Sequence, residues 1–185
     1  MRLFVAIDIP DSMRAALDAF QRQLRPTAQM TTAKLRWSPV ANVHITTKFI
    51  GEWPEDRIAD MTLALATVPV AGPIEIRVKG VGWFPNERQP RVFWTGVEGG
   101  EPLRALARET EQAVAALGVP VEERSFSPHL TLARIREAVS LEALQEKARS
   151  LSNGGDFDFG AFRATHFSLY LSRGGQYTRL AAFPL

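Results

Sequence analysis

Two stretches of the 185-residue chain decide how it is read: Val43-His44-Ile45-Thr46-Thr47-Lys48-Phe49-Ile50-Gly51 and Pro128-His129-Leu130-Thr131-Leu132-Ala133-Arg134. Each sets His-x-Thr inside apolar residues of strand character. Side chains alternate faces along a strand. His44 and Thr46 therefore share one face, and Val43, Ile45 and Thr47 take the other. His129 and Thr131 likewise stand opposite Leu130 and Leu132. Each strand offers an apolar side to a core and a side bearing imidazole and hydroxyl. Two such strands across one cleft supply two imidazoles and two hydroxyls to one ligand, a set suited to acid–base chemistry at a phosphate. Strict alternation also places Lys48 on the histidine face and Arg134 off it.

Working outward, Leu3, Val5, Ile7 and Ile9 alternate and predict a strand over 2–9. Asp11 or Ser12 can cap a helix with a Met13, Leu17, Phe20 and Leu24 stripe, which Pro26 should stop. Leu35-Arg36-Trp37 is a short strand, and Gly51 should break the first His-x-Thr strand. Pro54, Glu55 and Asp56 suit the first turn of a second helix with Ile58, Met61 and Leu65 inward. Strands are predicted near 74–83 and 91–97, joined through Pro85-Asn86-Glu87. A third helix carries Leu103, Leu106, Thr110, Val114 and Leu117 and ends at Gly118-Val119-Pro120. After the second His-x-Thr strand, Ser140 can cap a fourth helix with Leu141, Leu144, Ala148 and Leu151, ended by Gly154-Gly155. Two strands near 157–171 and 176–183, hinged at Gly174-Gly175, close the chain. The order strand–helix–strand–helix–strand–strand, then helix–strand–helix–strand–strand, predicts two related halves, each a sheet covered by two helices. The histidines, at positions 44 and 129, are about half a chain apart.

Composition narrows the classes. With 45% hydrophobic and 23% charged residues the chain is an ordinary globular one, and 185 residues favour a single domain or two small lobes. The absence of cysteine excludes disulfides, thiolate metal sites and a cysteine nucleophile, and fits a reducing cytoplasm. The apolar opening Met1–Ile9 is interrupted by Asp8 and Pro10 too early for a signal peptide, and no run reaches the roughly 20 apolar residues of a membrane span. A net charge of +2 is no nucleic-acid signature by itself, although a local basic cleft suffices to hold an RNA end.

The two motifs and their surroundings resemble the 2H phosphoesterase superfamily, and within it the RNA 2′,3′-cyclic phosphodiesterases, historically called 2′-5′ RNA ligases. The resemblance spans the chain. It includes Arg2-Leu3-Phe4-Val5-Ala6-Ile7, the run from Trp37 to His44, Phe49-Ile50-Gly51-Glu52 and Ser127-Pro128. It continues through Leu169-Tyr170-Leu171-Ser172, Gly175-Gln176-Tyr177 and Phe183-Pro184-Leu185. Thr47 departs from the family pattern, where an aliphatic residue is commoner, as does Ser127, where a basic residue is often found. The resemblance implies one bilobal α+β domain over residues 1–185, with two pseudo-symmetric lobes around a central groove. Each lobe is an antiparallel sheet with helices on its outer face. It implies hydrolysis of RNA 2′,3′-cyclic phosphate ends to 2′-phosphates, with weaker reversible 2′-5′ ligation. It further implies His44 as proton donor, His129 as proton acceptor and Thr46 and Thr131 as substrate-binding groups, with no metal and no cofactor. The expected partners are RNA 3′ ends, nucleotides with a 2′,3′-cyclic phosphate and tRNA fragments. The protein is expected to be a cytoplasmic monomer that does not engage membranes.

Other readings of the same residues are weaker. Zinc catalysis usually takes three protein ligands, and neither His-x-His nor His-Glu-x-x-His occurs. No Gly-x-Ser-x-Gly elbow or glycine-rich phosphate loop is present. His166 has no motif around it and is read as structural. Among Trp37, Trp53, Trp83 and Trp94, Trp37 is best placed to stack on a base, with core packing the commoner role for all four. Two alternatives remain open: a 2H enzyme for small cyclic nucleotides or 2′-5′ oligonucleotides, and a non-catalytic nucleotide- or RNA-binding module. A binder has no need of two proton-transfer groups.

Overall fold

The computed structural model describes residues 1–31, 34–136, 141–151 and 157–185. Nine strands and four helices follow in the order β1 (Arg2–Asp8), α1 (Asp11–Gln29), β2 (Leu35–Trp37), β3 (His44–Glu52), α2 (Ile58–Ala66), β4 (Ile74–Phe84), β5 (Val92–Glu98), α3 (Gly100–Ala115), β6 (His129–Ile135), α4 (Glu142–Leu151), β7 (Asp158–Ala164), β8 (His166–Arg173) and β9 (Gln176–Pro184). One sheet has the order β3-β1-β8-β9 and the other β2-β6-β5-β4-β7. All pairings are antiparallel. The α+β class and the two-sheet arrangement agree with the expectation. No helix among the described residues is long and apolar enough to cross a membrane.

The halves are cut and shared differently from the reading above. The second repeat begins at β5, not at α3, so that β1-α1-β3-α2 corresponds to β5-α3-β6-α4. The predicted strand over 157–171 is two strands. The break at Thr165 sends β7 to one sheet and β8 to the other, because alternating hydrophobicity looks the same across such a break. The helices are also exchanged. Helix α1 leaves the β1 sheet and covers the other one, where Phe20 packs on Phe93, Phe157 and Phe159. Helix α3 leaves the β5 sheet and contacts β3. Helices α1 and α4 meet over one sheet, and α2 and α3 over the other. The apolar faces of both sheets share one core that includes Val5, Ile45, Phe93 and Leu130.

Four local expectations are corrected. Helix α1 is preceded by Pro10, with no side-chain cap, so Asp11 is its first residue and pairs with Arg14. The helix runs through Pro26 to Gln29. Proline removes one backbone bond there, and burial of Leu24 and Ala28 on either side holds the last turn. Strand β3 continues past Gly51, which sits at φ 84 opposite Leu3. This left-handed conformation suits glycine and absorbs an irregularity in the pairing. Residues 55–57 form a 3₁₀ turn before α2. The proposed cap Ser140 and stop Gly154-Gly155 lie outside the described residues.

Candidate active site

The two histidine strands correspond position by position in their pairing. In one sheet Asp8 faces His44, Ile7 faces Ile45, Ala6 faces Thr46, Val5 faces Lys48 and Phe4 faces Phe49. In the other, Gly96 faces His129, Thr95 faces Leu130, Trp94 faces Thr131, Phe93 faces Ala133 and Val92 faces Arg134. Each strand skips one residue, Thr47 or Leu132, at the same step. A bulge of this kind inserts an unpaired residue and reverses the alternation beyond it. Burial follows: after the half-buried His-x-Thr pair, two successive residues turn inward in both strands.

This reversal corrects both parity assignments. Lys48 does not share the histidine face. It is 5% exposed and forms an ion pair with Glu111 of α3 while its Nζ donates to the Pro120 carbonyl at 2.8 Å. The Glu111 carboxylate also accepts the Glu122 N–H at 3.1 Å. Arg134 returns to the histidine face, and its positive charge acts on both imidazoles. Together with the contact between β3 and β6, this sets both His44 and His129 within reach of the Arg134 charge. Thr46 and Thr131 are half-buried on the same faces as their histidines.

Both rings are held alike. His44 Nδ1 lies 2.8 Å from the Asn42 carbonyl, and His129 Nδ1 lies 2.7 Å from that of Ser127. A carbonyl only accepts, so Nδ1 carries the proton in each ring. In the neutral ring Nε2 is then bare, free to take a proton, and in the cation it can give one. Burial is the main influence on both rings and lowers both pKa values below the ordinary histidine value. The backbone bond opposes it, and Arg134 adds to it.

The surroundings differ at corresponding positions. Asp8, beside His44, raises that imidazole's pKa against the burial effect. Its counterpart beside His129 is Gly96, which brings no charge. Tyr170, paired to Phe4, donates to Asp8 Oδ1 at 2.6 Å. Its counterpart, paired to Val92, is Phe84. Burial and the Asp8 hydrogen bond push the Tyr170 phenol up to about 12, so it stays a donor. His44 stacks on Phe4 at 4.6 Å and meets the edge of Tyr177 at 5.1 Å. His129 meets the edge of Phe84 at 5.1 Å, with Trp94 at 6.5 Å. A cavity of about 360 Å³ opens beside His44. Its lining includes Asp8, Arg14, Tyr177 and Arg179, and it does not include His129.

Trp94 is thus the indole at the site. Trp37 instead packs against Phe93 with Arg25 over its ring, and Trp53 and Trp83 are buried. His166 is exposed, with its Nδ1 2.9 Å from the Thr165 hydroxyl. Asp8, Tyr170 and Trp94 carry no local signal of function, since they reach the histidines through pairing with distant strands. Among the described residues no three His, Asp or Glu side chains gather as metal ligands would.

Comparison with known proteins agrees with this architecture. A family model described as LigT like Phosphoesterase matches twice, over residues 7–94 and 97–177. The RNA 2′,3′-cyclic phosphodiesterase of Methanocaldococcus jannaschii is 34% identical over 93% of this chain and 91% of its own. The crystal structure of TT0787 of Thermus thermophilus has a TM-score of 0.77 at 31% identity, covering 100% of this chain and 98% of that one. E. coli LigT complexed with 3′-AMP has a TM-score of 0.75 at 25% identity, covering 100% and 97%. With its two matched halves meeting near the centre, the chain belongs to the LigT-like phosphoesterase family.

Proposed function

We propose that this protein is an RNA 2′,3′-cyclic phosphodiesterase in which His44 is the general acid and His129 the general base. The names of its relatives support the activity. The observation that supports the mechanism is the pair of imidazoles held by Nδ1 on matched, bulged strands and both facing the Arg134 charge. The order of roles rests on Asp8. A carboxylate favours the protonated ring, and it stands beside His44, while Gly96 stands beside His129.

In this reading His129 Nε2 takes a proton from water as the oxygen bonds to phosphorus. The P–O3′ bond breaks in line, and His44 Nε2 delivers a proton to O3′. The phosphate remains on O2′. Thr46, Thr131 and Arg134 hold the non-bridging oxygens as charge grows there. An RNA 5′-hydroxyl in place of water gives a 2′-5′ linkage, and its cleavage exchanges the two roles. The 185 residues work as one bilobal domain, as a cytoplasmic monomer, without metal or cofactor.

The test is an RNA ending in a 2′,3′-cyclic phosphate, incubated in EDTA, with the product isomers resolved by chromatography. Turnover to a 2′-phosphate is expected. A 3′-phosphate product, or activity that chelation removes and zinc or manganese restores, overturns the reading.

The pH profile tests the order of roles. The base works above its pKa and the acid below its own. Both pKa values lie below the ordinary 6.5, so kcat/KM is expected to be bell-shaped on the acid side of neutrality. Asp8→Asn removes the charge that raises His44 and should move the alkaline limb to lower pH. A shift of the acidic limb instead would make His44 the base.

A further inference from the structure

We propose that the cavity beside His44 is a phosphate subsite, in which Arg14 and Arg179 hold the phosphate attached to the 5′ oxygen of the nucleoside that carries the cyclic phosphate. The proposal rests on His44 acting as the acid. O3′ departs toward the acid, so the ribose lies on the His44 side. The water that attacks from the His129 side needs little room. The cavity is on the side where the nucleotide must be. Its volume of about 360 Å³ lies within the usual range for small-ligand sites.

Two guanidinium groups converge there from separate elements, Arg14 from the first turn of α1 and Arg179 from β9. Arg14 binds Asp11 through one terminal nitrogen at 3.2 Å, while its Nε is buried with no hydrogen-bond partner among the described residues. A buried donor without a partner is costly, and an anionic oxygen in the cavity would relieve it. Arg179 has its carboxylate neighbour, Asp8 Oδ2, only at 3.9 Å, the outer limit of an ion pair. The other Asp8 oxygen is taken by Tyr170. Each guanidinium thus keeps donors for a further acceptor, and the planar fork of arginine matches phosphate oxygens.

The walls are set in advance. Asn42 donates to the Gly175 carbonyl at 2.9 Å and fastens the β8–β9 turn to the residues preceding His44. Gly174 and Gly175 both have positive φ, as a tight two-residue hairpin turn requires. The turn brings in Tyr177, whose ring stands edge-on to His44 and lines the cavity together with it. The second lobe has no such arrangement. Strand β4 pairs with β7 over Ile74–Lys79, so among the described residues no strand flanks Phe84 as β9 flanks Tyr170.

A 5′-phosphate monoester and an internucleotide phosphodiester present the same oxygens. Three substrates separate them: adenosine 2′,3′-cyclic phosphate, its 5′-phosphorylated form, and the dinucleotide ApA ending in a 2′,3′-cyclic phosphate. For the wild type, kcat/KM is expected to be about tenfold or more higher for the 5′-phosphorylated form, mainly through KM, as one or two charge-assisted hydrogen bonds provide. An equal gain for the dinucleotide makes the subsite one for RNA chains, and a gain for the monoester alone makes it one for mononucleotides. Arg14→Gln and Arg179→Gln should each bring the substrate ratio close to one. Because the ratio is taken within one variant, a general loss of activity cancels, and the exposed Arg179 site tolerates exchange if Arg14→Gln folds poorly. A wild-type ratio near one, or a ratio that neither variant changes, overturns the proposal. If no cyclic substrate turns over, the reading of the reaction fails by itself. The subsite is then tested by binding of adenosine 5′-monophosphate, which should weaken about tenfold in Arg179→Gln. Equal affinity would overturn it.

Discussion

Alanine at either His44 or His129 is expected to cut turnover of a 2′,3′-cyclic phosphate by about 10²-fold or more. The circular dichroism spectrum and melting temperature should stay close to wild type. Each imidazole is held by one backbone carbonyl and by aromatic rings, half-buried and outside the main apolar core, so truncation removes the imidazole without opening that core. The double variant should be little worse than either single one, because groups acting in one step are not additive. Thr46→Val and Thr131→Val should each cost less, about 10–10²-fold, as for one lost donor to a developing charge. Near wild-type turnover in either alanine variant would rule out a two-histidine mechanism.

Glu111→Ala should have the largest effect on stability, about 3–5 kcal/mol, because it strands a buried cation. Lys48 lies inside the structure with Glu111 as its counter-charge. Removing the carboxylate also takes the acceptor from the Glu122 N–H, in the segment that leads to His129. Glu111→Gln should recover part of the loss by restoring an acceptor. Urea denaturation of the two variants against wild type measures both effects. A midpoint for Glu111→Ala within experimental error of wild type would show that the ion pair carries no net stability.

The elements of the fold were largely legible, because alternation marks strands and the 3.6-residue stripes of Met13, Leu17, Phe20 and Leu24, or Leu103, Leu106, Thr110 and Val114, mark helices. Their assignment to sheets was not. Whether β8 joins β1 or β7 depends on pairing between residues more than a hundred positions apart, to which local periodicity is blind. The histidines and threonines stood out because each motif lies in one strand. Lys48 and Arg134 were misplaced for one reason. The bulges at Thr47 and Leu132 use ordinary strand residues, with no glycine or proline to mark them, so strict alternation was carried one residue too far. Asp8 was hidden differently. Its proximity to His44 comes from cross-strand register, and in isolation it is a polar residue ending a strand.

The exchange of helices between the sheets has a mechanical consequence. Each histidine strand is backed by a helix that the chain supplies from beside the other histidine strand's partner. α3 follows β5 yet supports β3, and α1 follows β1 yet lies over the sheet of β6. Swinging the sheets apart would peel both helices from the apolar surfaces they cover. The spacing of the imidazoles is therefore braced like a woven joint rather than set by a hinge. A groove so built keeps a fixed width, and adjustment falls to its rim, where the β8–β9 hairpin and the first turn of α1 line the cavity.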